Sequence, residues 1–280
     1  MNVTFWSAGK PREDRIAAAL GKAVLAGGDG FEVRAVEDYR APVGEVGCVF
    51  GVKGISRRLL DDHRAAGKHV LFFDKGHTRQ KVNGEALWRV SVDADMPLST
   101  FQRERRPDDR ARALAFTPAP RWFGDRVLFA GSSQKHCDFH GLGDCTAYAR
   151  GVIKQIHAIT DKPVIHRPKP TWRDAMPIDG VAFSRPPTTL ADELKRCFVL
   201  VTHSSNAALD AILAGVPAIV LGPGIARPVA AHRIADIDRP FWPSEQTRRQ
   251  WFADLAYCQW TLNEMASGEM WNTIRPQLDP

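Results

Sequence analysis

The stretch VTHSSNAALDAILAGVPAIVLGP, residues 201–223, decides the fold class of this 280-residue chain. An apolar run leads into the polar residues Thr-His-Ser-Ser-Asn, a short helical pattern follows, and Gly-Val-Pro introduces a second apolar run. A buried strand, a helix and a second buried strand, joined in that order, produce this pattern. The polar residues stand where the first strand ends, which is the position at which open α/β sheets bind their ligands.

The same alternation of strand and helix patterns continues on both sides of this stretch. It begins at residue 3, is interrupted by a charged and proline-containing segment at 101–122, and restarts at residue 125. Alternating strands and helices indicate a parallel sheet, and the interruption is typical of an interdomain linker. We therefore predict two Rossmann-like α/β domains that face a cleft, with C-terminal helices that cross back to the first domain. The predicted ranges are 1–118 for the first domain, 119–240 for the second and 241–280 for the C-terminal helices.

The composition, with 44% hydrophobic and 25% charged residues, is typical of a soluble globular protein. No apolar run is long enough to span a membrane and the N-terminus lacks a signal-peptide pattern, so we expect a cytoplasmic protein without a membrane partner. Five cysteines without a CxxC pair argue against a disulfide framework or a zinc knuckle. The net charge of +6 favours polyanionic partners such as nucleic acid, or anionic small molecules.

The turn at 202–206 has the chemistry of a phosphate site. Ser204, Ser205 and Asn206 offer hydrogen-bond donors at the start of a helix, where free N–H groups and a partial positive charge favour anions. Asp210 lies one turn further on, where a carboxylate can reach the hydroxyls of a ribose. A simpler interpretation stays open: Ser205 or Asn206 only caps the helix, and Asp210 is an ordinary acid of the first turn.

The segment THSSNAALDAILAGVPAIVLG resembles the donor-binding segment of GT-B glycosyltransferases and of the related UDP-N-acetylglucosamine 2-epimerases. Those proteins carry a strand, a Ser-Gly-Gly-like turn, a helix with an acidic residue, and then Gly-x-Pro and a strand. Here residues 204–206 form the turn, Asp210 is the acid, and residues 215–217 are Gly-Val-Pro. The resemblance implies that the turn contacts a nucleotide diphosphate and that Asp210 contacts the ribose. Both turn glycines are replaced, so we expect side chains rather than backbone amides to contact the phosphates.

Two further strand ends extend the resemblance. RVLFAGSSQKH, residues 126–136, opens the second half as the corresponding strand and loop do in GT-B enzymes. VIHRPKP, residues 164–170, resembles the RPHP-like strand end of capsule-type glycosyltransferases, with Lys169 in place of the histidine. Arg167 and Lys169 would offset the charge of a departing diphosphate, and a solvated basic loop is the alternative interpretation. The predicted donor-binding residues are Gly131, Ser132, Ser133, Lys135, Arg167, Lys169, His203, Ser204, Ser205, Asn206 and Asp210.

The first half carries fewer motifs. LFFDKGHTR…LWRV, within residues 71–90, resembles the YIDHGYF-R…YYRV run of phage-encoded glycosyltransferase-like proteins, some of which sugar-modify hydroxymethylated bases in DNA. An inverting transferase needs a base that deprotonates the acceptor hydroxyl, and we predict Asp74 in this role, with His77 as the second candidate. Alternatively, Asp74 only closes a turn at the end of its strand. The predicted acceptor-binding residues are Lys10, Arg79 and Arg89, with ordinary surface arginines as the alternative.

Motifs for metals and covalently bound cofactors are missing. No HExxH or CxxC pattern occurs and the histidines are scattered along the chain, so the sequence predicts no metal site and no covalent cofactor. A divalent metal is compatible with catalysis but not required, because cations and a helix N-terminus can offset the charge of the leaving group. The basic run at 103–112 either contacts DNA phosphates or is an ion-paired, solvated segment.

Together these observations predict a GT-B-like glycosyltransferase that moves a sugar from a nucleotide-sugar, with a UDP-sugar as the expected donor, to a hydroxyl acceptor. The resemblance implies a bacteriophage setting, hence the host cytoplasm, and 5-hydroxymethylcytosine or a similar base in DNA as the acceptor. Three alternatives stay open: a capsule or surface-glycan glycosyltransferase, a nucleotide-sugar epimerase, and a non-catalytic nucleotide- or DNA-binding protein of the same fold. No feature of the sequence indicates an oligomeric state.

Overall fold

The computed structural model describes residues 1–52, 54–97 and 105–278. The chain forms two compact units, Met1–Leu114 together with Asp254–Pro280, and Ala115–Ala253. The second unit is therefore one continuous segment inserted into the first. Residues 241–253, which the sequence pattern grouped with the C-terminal helices, belong to the second unit. The start of the basic run at 103–112 lies outside the described residues.

Strands and helices alternate along the chain, as the sequence predicts. The first unit opens with β1 (Asn2–Ser7), α1 (Pro11–Ala26), β2 (Gly30–Ala35), β3 (Val46–Phe50), α2 (Gly54–Ala65), β4 (His69–Lys75), β5 (Lys81–Val82), β6 (Glu85–Ala86), β7 (Trp88–Val92) and α3 (Asp109–Ala113). The second unit contains β8 (Arg126–Ala130), α4 (Gln134–His140), α5 (Cys145–His157), β9 (Val164–Arg167), β10 (Ala182–Phe183), α6 (Leu190–Leu194), β11 (Cys197–Thr202), α7 (Ala207–Leu213), β12 (Ala218–Val220) and most of α8 (Glu245–Ala256). The chain returns to the first unit with β13 (Gln259–Trp260), α9 (Leu262–Ala266) and α10 (Glu269–Ile274).

Helix α1 shows how the sequence sets these elements. Pro11 occupies the first helical position, where its missing N–H costs nothing, and Ile16, Leu20 and Val24 recur at helical spacing on the buried face. The exposed residues are charged or small apart from Leu25 near the C-terminal end, so one side is buried and the other meets water. Within the described residues, no helix combines the length and the apolar composition that a membrane span requires.

The sheet of the first unit has six strands in the order β13-β7-β4-β3-β1-β2. The four strands from β2 to β4 are parallel, whereas β7 runs antiparallel to β4 and β13 runs antiparallel to β7. The C-terminal segment closes the core, because Trp260 and Trp271 are buried in the same cluster as Phe5 and Ile16. Helices α9 and α10 pack on α1. Helices α9 and α10 thus return to the first unit, whereas most of α8 belongs to the second.

The sheet of the second unit has five strands in the order β10-β9-β8-β11-β12, and all of them are parallel. Val127 and Phe129 on β8 and Val199 and Val201 on β11 belong to one buried cluster. Because parallel strands end at the same edge of a sheet, the loops after β8, β9, β11 and β12 meet at one edge. We call this the carboxyl edge of the second sheet.

All five cysteines are buried thiols. Burial raises the pKa of Cys197 to about 12, and it also raises the pKa of Cys48. These two thiols are therefore protonated at neutral pH, which makes them poor nucleophiles.

Candidate functional site

Hydrogen bonds hold the strand ends of the second sheet close together. The Gly131 N–H donates to the Arg167 carbonyl at 2.9 Å, and Thr202 Oγ1 donates to the Ala130 carbonyl at 2.7 Å. A Cβ added at Gly131 would lie 3.0 Å from His166 Nε2, so a glycine at this position lets the loop after β8 pass close to β9. The loops after β8, β9 and β11 therefore lie side by side, and the strand ends below them form a fixed platform of hydrogen-bonded backbone.

His166 contributes no positive charge to this platform. Its ring lies 5.6 Å from the Phe129 ring and 5.4 Å from the Phe183 ring, measured between centroids. Burial lowers the pKa of His166 to about 4. The imidazole is therefore neutral at physiological pH and acts as part of the apolar support under the edge.

Arg167 anchors a basic pocket at the end of β9. Its Nη1 donates to Ser184 Oγ at 2.7 Å and its Nη2 donates to the Thr188 carbonyl at 2.9 Å, so two uncharged groups fix a buried guanidinium. The pocket has a volume of about 210 Å³. Its lining consists of four cations, one tryptophan, one serine and three prolines: Arg167, Lys169, Arg173, Arg185, Trp172, Ser184, Pro168, Pro170 and Pro186. Cations gathered in this way, with no carboxylate in that lining, form a site for an anion.

Three basic or aromatic residues of this pocket were not predicted from the sequence. Trp172 and Arg173 follow the Pro-Lys-Pro run after a single residue, Thr171, and a basic and aromatic composition continuing past Lys169 was the signal that could have found them. Arg185 follows β10, the neighbour of β9, and its guanidinium donates to the Ala175 carbonyl and lies 4.5 Å from the Phe183 ring centroid. The pairing of β10 with β9 brings Arg185 to the pocket. The sequence gives no sign of this, because Arg185 is far from Arg167 along the chain.

The turn after β11 uses part of its polar groups to start α7. The Ala207 N–H donates to Ser205 Oγ at 3.2 Å, and the Ser205 N–H donates to Thr202 Oγ1 at 3.4 Å. Ser205 therefore occupies one free N–H at the start of α7, while Asn206 is the N-cap residue and makes no capping bond through its side chain. Asn206 and Asp210 are half-buried, and Asp210 lies in the first turn of α7.

Ser204 turns away from this turn and joins a group of histidines. It is buried, and its Oγ lies 2.9 Å from His136 Nε2 and 3.1 Å from His203 Nδ1. One ring nitrogen from each of His136, His140 and His203 lies within 4.8 Å of those of the other two. The expectation of scattered histidines is corrected here. His136 and His140 have i, i+4 spacing, a signal that only a prediction of α4 would have revealed.

The remaining donor-site predictions fall at the same edge. Ser132 and Ser133 are half-buried between β8 and α4, and Lys135 is exposed on the first turn of α4. The structure thus brings the loops of all predicted donor-binding residues to one edge, with Ser204 and His203 directed toward the histidine group.

In the first unit, Asp74 and Arg89 form an ion pair between β4 and β7. They are register partners, Arg89 Nη2 lies 3.1 Å from Asp74 Oδ2, and the Lys75 N–H donates to Asp74 Oδ1 at 2.8 Å. The Arg89 side chain is 10% exposed and the Asp74 side chain is 32% exposed. Asp74 therefore presents a carboxylate that is held in one orientation and still reaches solvent.

The loop after β4 is fixed by Gln259. The Thr78 N–H donates to Gln259 Oε1 at 3.1 Å, and Gln259 Nε2 donates to Thr78 Oγ1 at 3.2 Å. His77 is buried in this loop, whereas Arg79 and Lys10 are exposed. The structure thus joins Arg89 to Asp74 and leaves Arg79 and Lys10 on the surface.

No protein-family model and no curated protein matches this chain. Two solved structures from Thermosulfurimonas dismutans match it over most of its length. The beta Kdo 2,4 transferase of KpsC is 15% identical with a TM-score of 0.52, and the match covers 91% of this chain and 90% of that one. The beta Kdo 2,7 transferase of KpsC is 10% identical with a TM-score of 0.53, and the match covers 98% of this chain and 100% of that one.

Identities this low relate the folds and carry no statement about activity. Both units of this chain are α/β units built on largely parallel sheets, and the C-terminal segment returns to the first of them. The predicted fold class is confirmed: the chain has a GT-B-like fold.

Proposed function

We propose that this chain transfers a sugar from a nucleotide-sugar, with the donor held at the carboxyl edge of the second sheet. The basic pocket at the end of β9, where Ser184 and the Thr188 carbonyl fix Arg167, is the observation that supports the proposal most. A guanidinium already held in place needs no reorganisation to bind a diphosphate. Its charge also opposes the negative charge that develops on a nucleoside diphosphate as it leaves.

The donor's parts have complementary groups along this edge. Arg167 and Lys169 bind the diphosphate, and Trp172 offers an aromatic face on which a nucleotide base can stack. Asp210 accepts hydrogen bonds from the ribose hydroxyls, as the resemblance to GT-B enzymes implies. The remaining proposed donor contacts come from Gly131, Ser132, Ser133, Lys135, Ser205 and Asn206. A UDP-sugar is the proposed donor.

Asp74 is the proposed general base. Its carboxylate takes the proton of the acceptor hydroxyl while that oxygen bonds to the anomeric carbon and the bond from this carbon to the diphosphate oxygen breaks. The ion pair with Arg89 orients the carboxylate for this step. His77 is the second candidate, although its burial places it behind the loop surface.

The proposed acceptor is 5-hydroxymethylcytosine or a similar base in DNA. The net charge of +6 and the exposed cations Lys10 and Arg79 favour a polyanion, and the resemblance of residues 71–90 to phage-encoded proteins points to a DNA base. A hydroxymethyl group on a base supplies the hydroxyl that the reaction requires.

The test is a transfer assay on defined DNA. The full chain is incubated with a panel of UDP-sugars and with DNA that contains 5-hydroxymethylcytosine, and the DNA is digested to nucleosides for mass spectrometry. The expected product is a nucleoside heavier by one sugar residue, absent when ordinary cytosine DNA is used. No mass gain with any donor in the panel would remove DNA as the acceptor.

A surface-glycan acceptor is the second candidate, and it is favoured by the two Kdo transferases that share the fold. The same assay then uses an activated Kdo donor and oligosaccharide acceptors, with DNA as the control. Sugar transfer to the oligosaccharide alone would replace the DNA proposal. Donor binding without transfer to either acceptor would indicate a non-catalytic binding protein.

A further inference from the structure

Three histidines of the second unit converge from two separate elements. His136 and His140 are one turn apart on α4, and His203 lies just beyond β11. His136 Nε2 lies 3.2 Å from His203 Nδ1. The centroid of the His140 ring lies 4.3 Å from that of His136 and 5.0 Å from that of His203. Within residues 1–52, 54–97 and 105–278, this is the one group of three histidine, cysteine or acidic side chains gathered closely enough to hold a metal ion.

The elements that carry these histidines are fixed by their own contacts. Gln134 Nε2 donates to the Gly143 carbonyl at 3.0 Å, and Gln134 Oε1 accepts from the Cys145 N–H at 3.0 Å, which ties the first turn of α4 to the start of α5. The His203 ring fills the space beside Gly222, where any Cβ would overlap the imidazole. Ligands held in place before binding lose little conformational entropy when a metal arrives.

The spacing of the ring nitrogens suits tetrahedral coordination. With zinc–nitrogen bonds of about 2.0–2.1 Å, two ligands of a tetrahedral site lie about 3.3 Å apart. The His136 Nε2 to His203 Nδ1 distance of 3.2 Å is close to this value. A ring nitrogen of His140 lies within 4.8 Å of both, and in the proposed site it moves closer, to the tetrahedral spacing. Two histidines at i, i+4 on one helix face are also a recurrent way for proteins to bind zinc.

We propose that His136, His140 and His203 bind one divalent transition-metal ion of the zinc class, with the Ser204 hydroxyl or a water molecule in the fourth position. Imidazole nitrogens suit zinc, nickel, cobalt and copper, whereas magnesium and calcium take oxygen ligands. The ion ties α4 to the turn after β11. This inference does not depend on sugar transfer, because metal binding is measured without a donor.

The first experiment measures zinc binding to the full chain, purified without a histidine tag and stripped with a chelator. Calorimetric titration with zinc chloride is expected to show one ion per chain. Cobalt chloride is expected to give the intense visible absorption of a tetrahedral site. X-ray absorption at the zinc edge needs no variant, and it is expected to show a shell with three imidazole ligands. A shell of oxygen ligands alone, or no stoichiometric binding, would overturn the proposal.

Variants assign the ligands. His140→Ala and His136→Ala are each expected to weaken zinc binding by about 100-fold or more, since loss of a mere supporting contact already costs about 10- to 100-fold. His157→Ala removes an exposed histidine of α5 and is expected to bind zinc like the parent. Circular dichroism confirms that each variant folds. Equal zinc affinity of folded His140→Ala, His136→Ala and parent chain would refute the assignment.

Discussion

The two units treat the charges at their sheet edges in different ways. In the first unit, Asp74 is opposed by Arg89 at 3.1 Å, so the charge is neutralised within the protein. In the second unit, Arg167 donates to the uncharged Ser184 hydroxyl and Thr188 carbonyl, and three further cations line the same pocket. Like charges held together repel one another and lower the free energy of unfolding, and an anion in the pocket removes that repulsion. The first sheet thus holds one carboxylate next to its counter-charge, whereas the second gathers cations whose repulsion an anion would relieve.

Replacing the acid of the neutralised pair gives the largest expected effect. Asp74→Asn keeps the shape of the side chain but removes its capacity to accept a proton, so kcat of the proposed transfer is expected to fall by roughly 10²- to 10⁴-fold. Donor affinity, measured by calorimetry with UDP, is expected to stay the same. Asp61→Asn, which removes an exposed acid paired with Arg57 on α2, is the matched control. Retained kcat in Asp74→Asn would show that the acid has only a structural role.

Replacing Arg167, which anchors the basic pocket at the end of β9, tests the role of the cations in the second unit. Arg167→Ala is expected to lower kcat/KM by roughly 10²- to 10³-fold, because a fixed donor toward the leaving diphosphate is lost. Unlike Asp74→Asn, it is also expected to weaken UDP binding. Arg150→Ala, an exposed arginine of α5, serves as the control with the same change of charge. If folded Arg167→Ala binds UDP as tightly as the parent chain does, the diphosphate does not bind at Arg167.

Asp29 extends the comparison from activity to stability. It accepts a hydrogen bond from Arg275 Nε at 2.8 Å, and this bond is the main reason why its pKa falls from 3.8 to about 2. Because the pKa of the folded state is below that of the unfolded chain, the stabilisation is complete above about pH 4 and is lost as the pH falls toward 2.

Asp29→Asn is therefore expected to lower the free energy of unfolding by roughly 1–3 kcal/mol at neutral pH. Urea denaturation followed by circular dichroism measures this change, and the difference from the parent chain is expected to shrink between pH 4 and pH 2. A difference that is independent of pH would mean that the ion pair is not its cause.

The smallest expected effect is on the melting temperature of the parent chain when an anion binds in the basic pocket. Inorganic pyrophosphate is expected to raise the melting temperature by about 2–4 °C for each kcal/mol of binding free energy. The rise is expected to disappear in Arg167→Ala and to remain in Arg150→Ala. An equal rise in both variants would indicate general salt stabilisation instead of binding at the pocket.

The order of elements could be predicted because it is a local property of the sequence. Residues 126–130 and 197–202 are short apolar runs bounded by polar residues, which is how buried parallel strands read. Helix α4 was not predicted because QKHCDFH is only about two turns long, with two buried apolar residues, Cys137 and Phe139, and no repeating period. The C-terminal tail was predicted as helices only, but it also contains β13, and Gly268 separates α9 from α10.

The candidate sites depend on contacts that sequence patterns do not specify. The sequence could place the polar loops of the second unit together, because the carboxyl ends of all strands in a parallel sheet lie at one edge. The pairing of Asp74 with Arg89 depends on the register of β4 against β7, which the intervening residues set. The meeting of His136 with His203 joins residues 67 positions apart. Which way Ser204 points also depends on such contacts: the sequence pattern predicted that it contacts a phosphate, and in the structure its Oγ lies 2.9 Å from His136 Nε2.

Because the second unit is inserted into the first, the two units are completed in a different order from that in which they are begun during synthesis. A ribosome synthesises all of the second unit, residues 115–253, before it adds Trp260 and Trp271, which fill the core of the first. The strands that are made first therefore cannot complete their core until these late residues have been made, and until then their apolar surface is open to solvent and to chaperones. A premature stop near the C-terminus would damage the unit that was begun first and spare the one that carries the pocket.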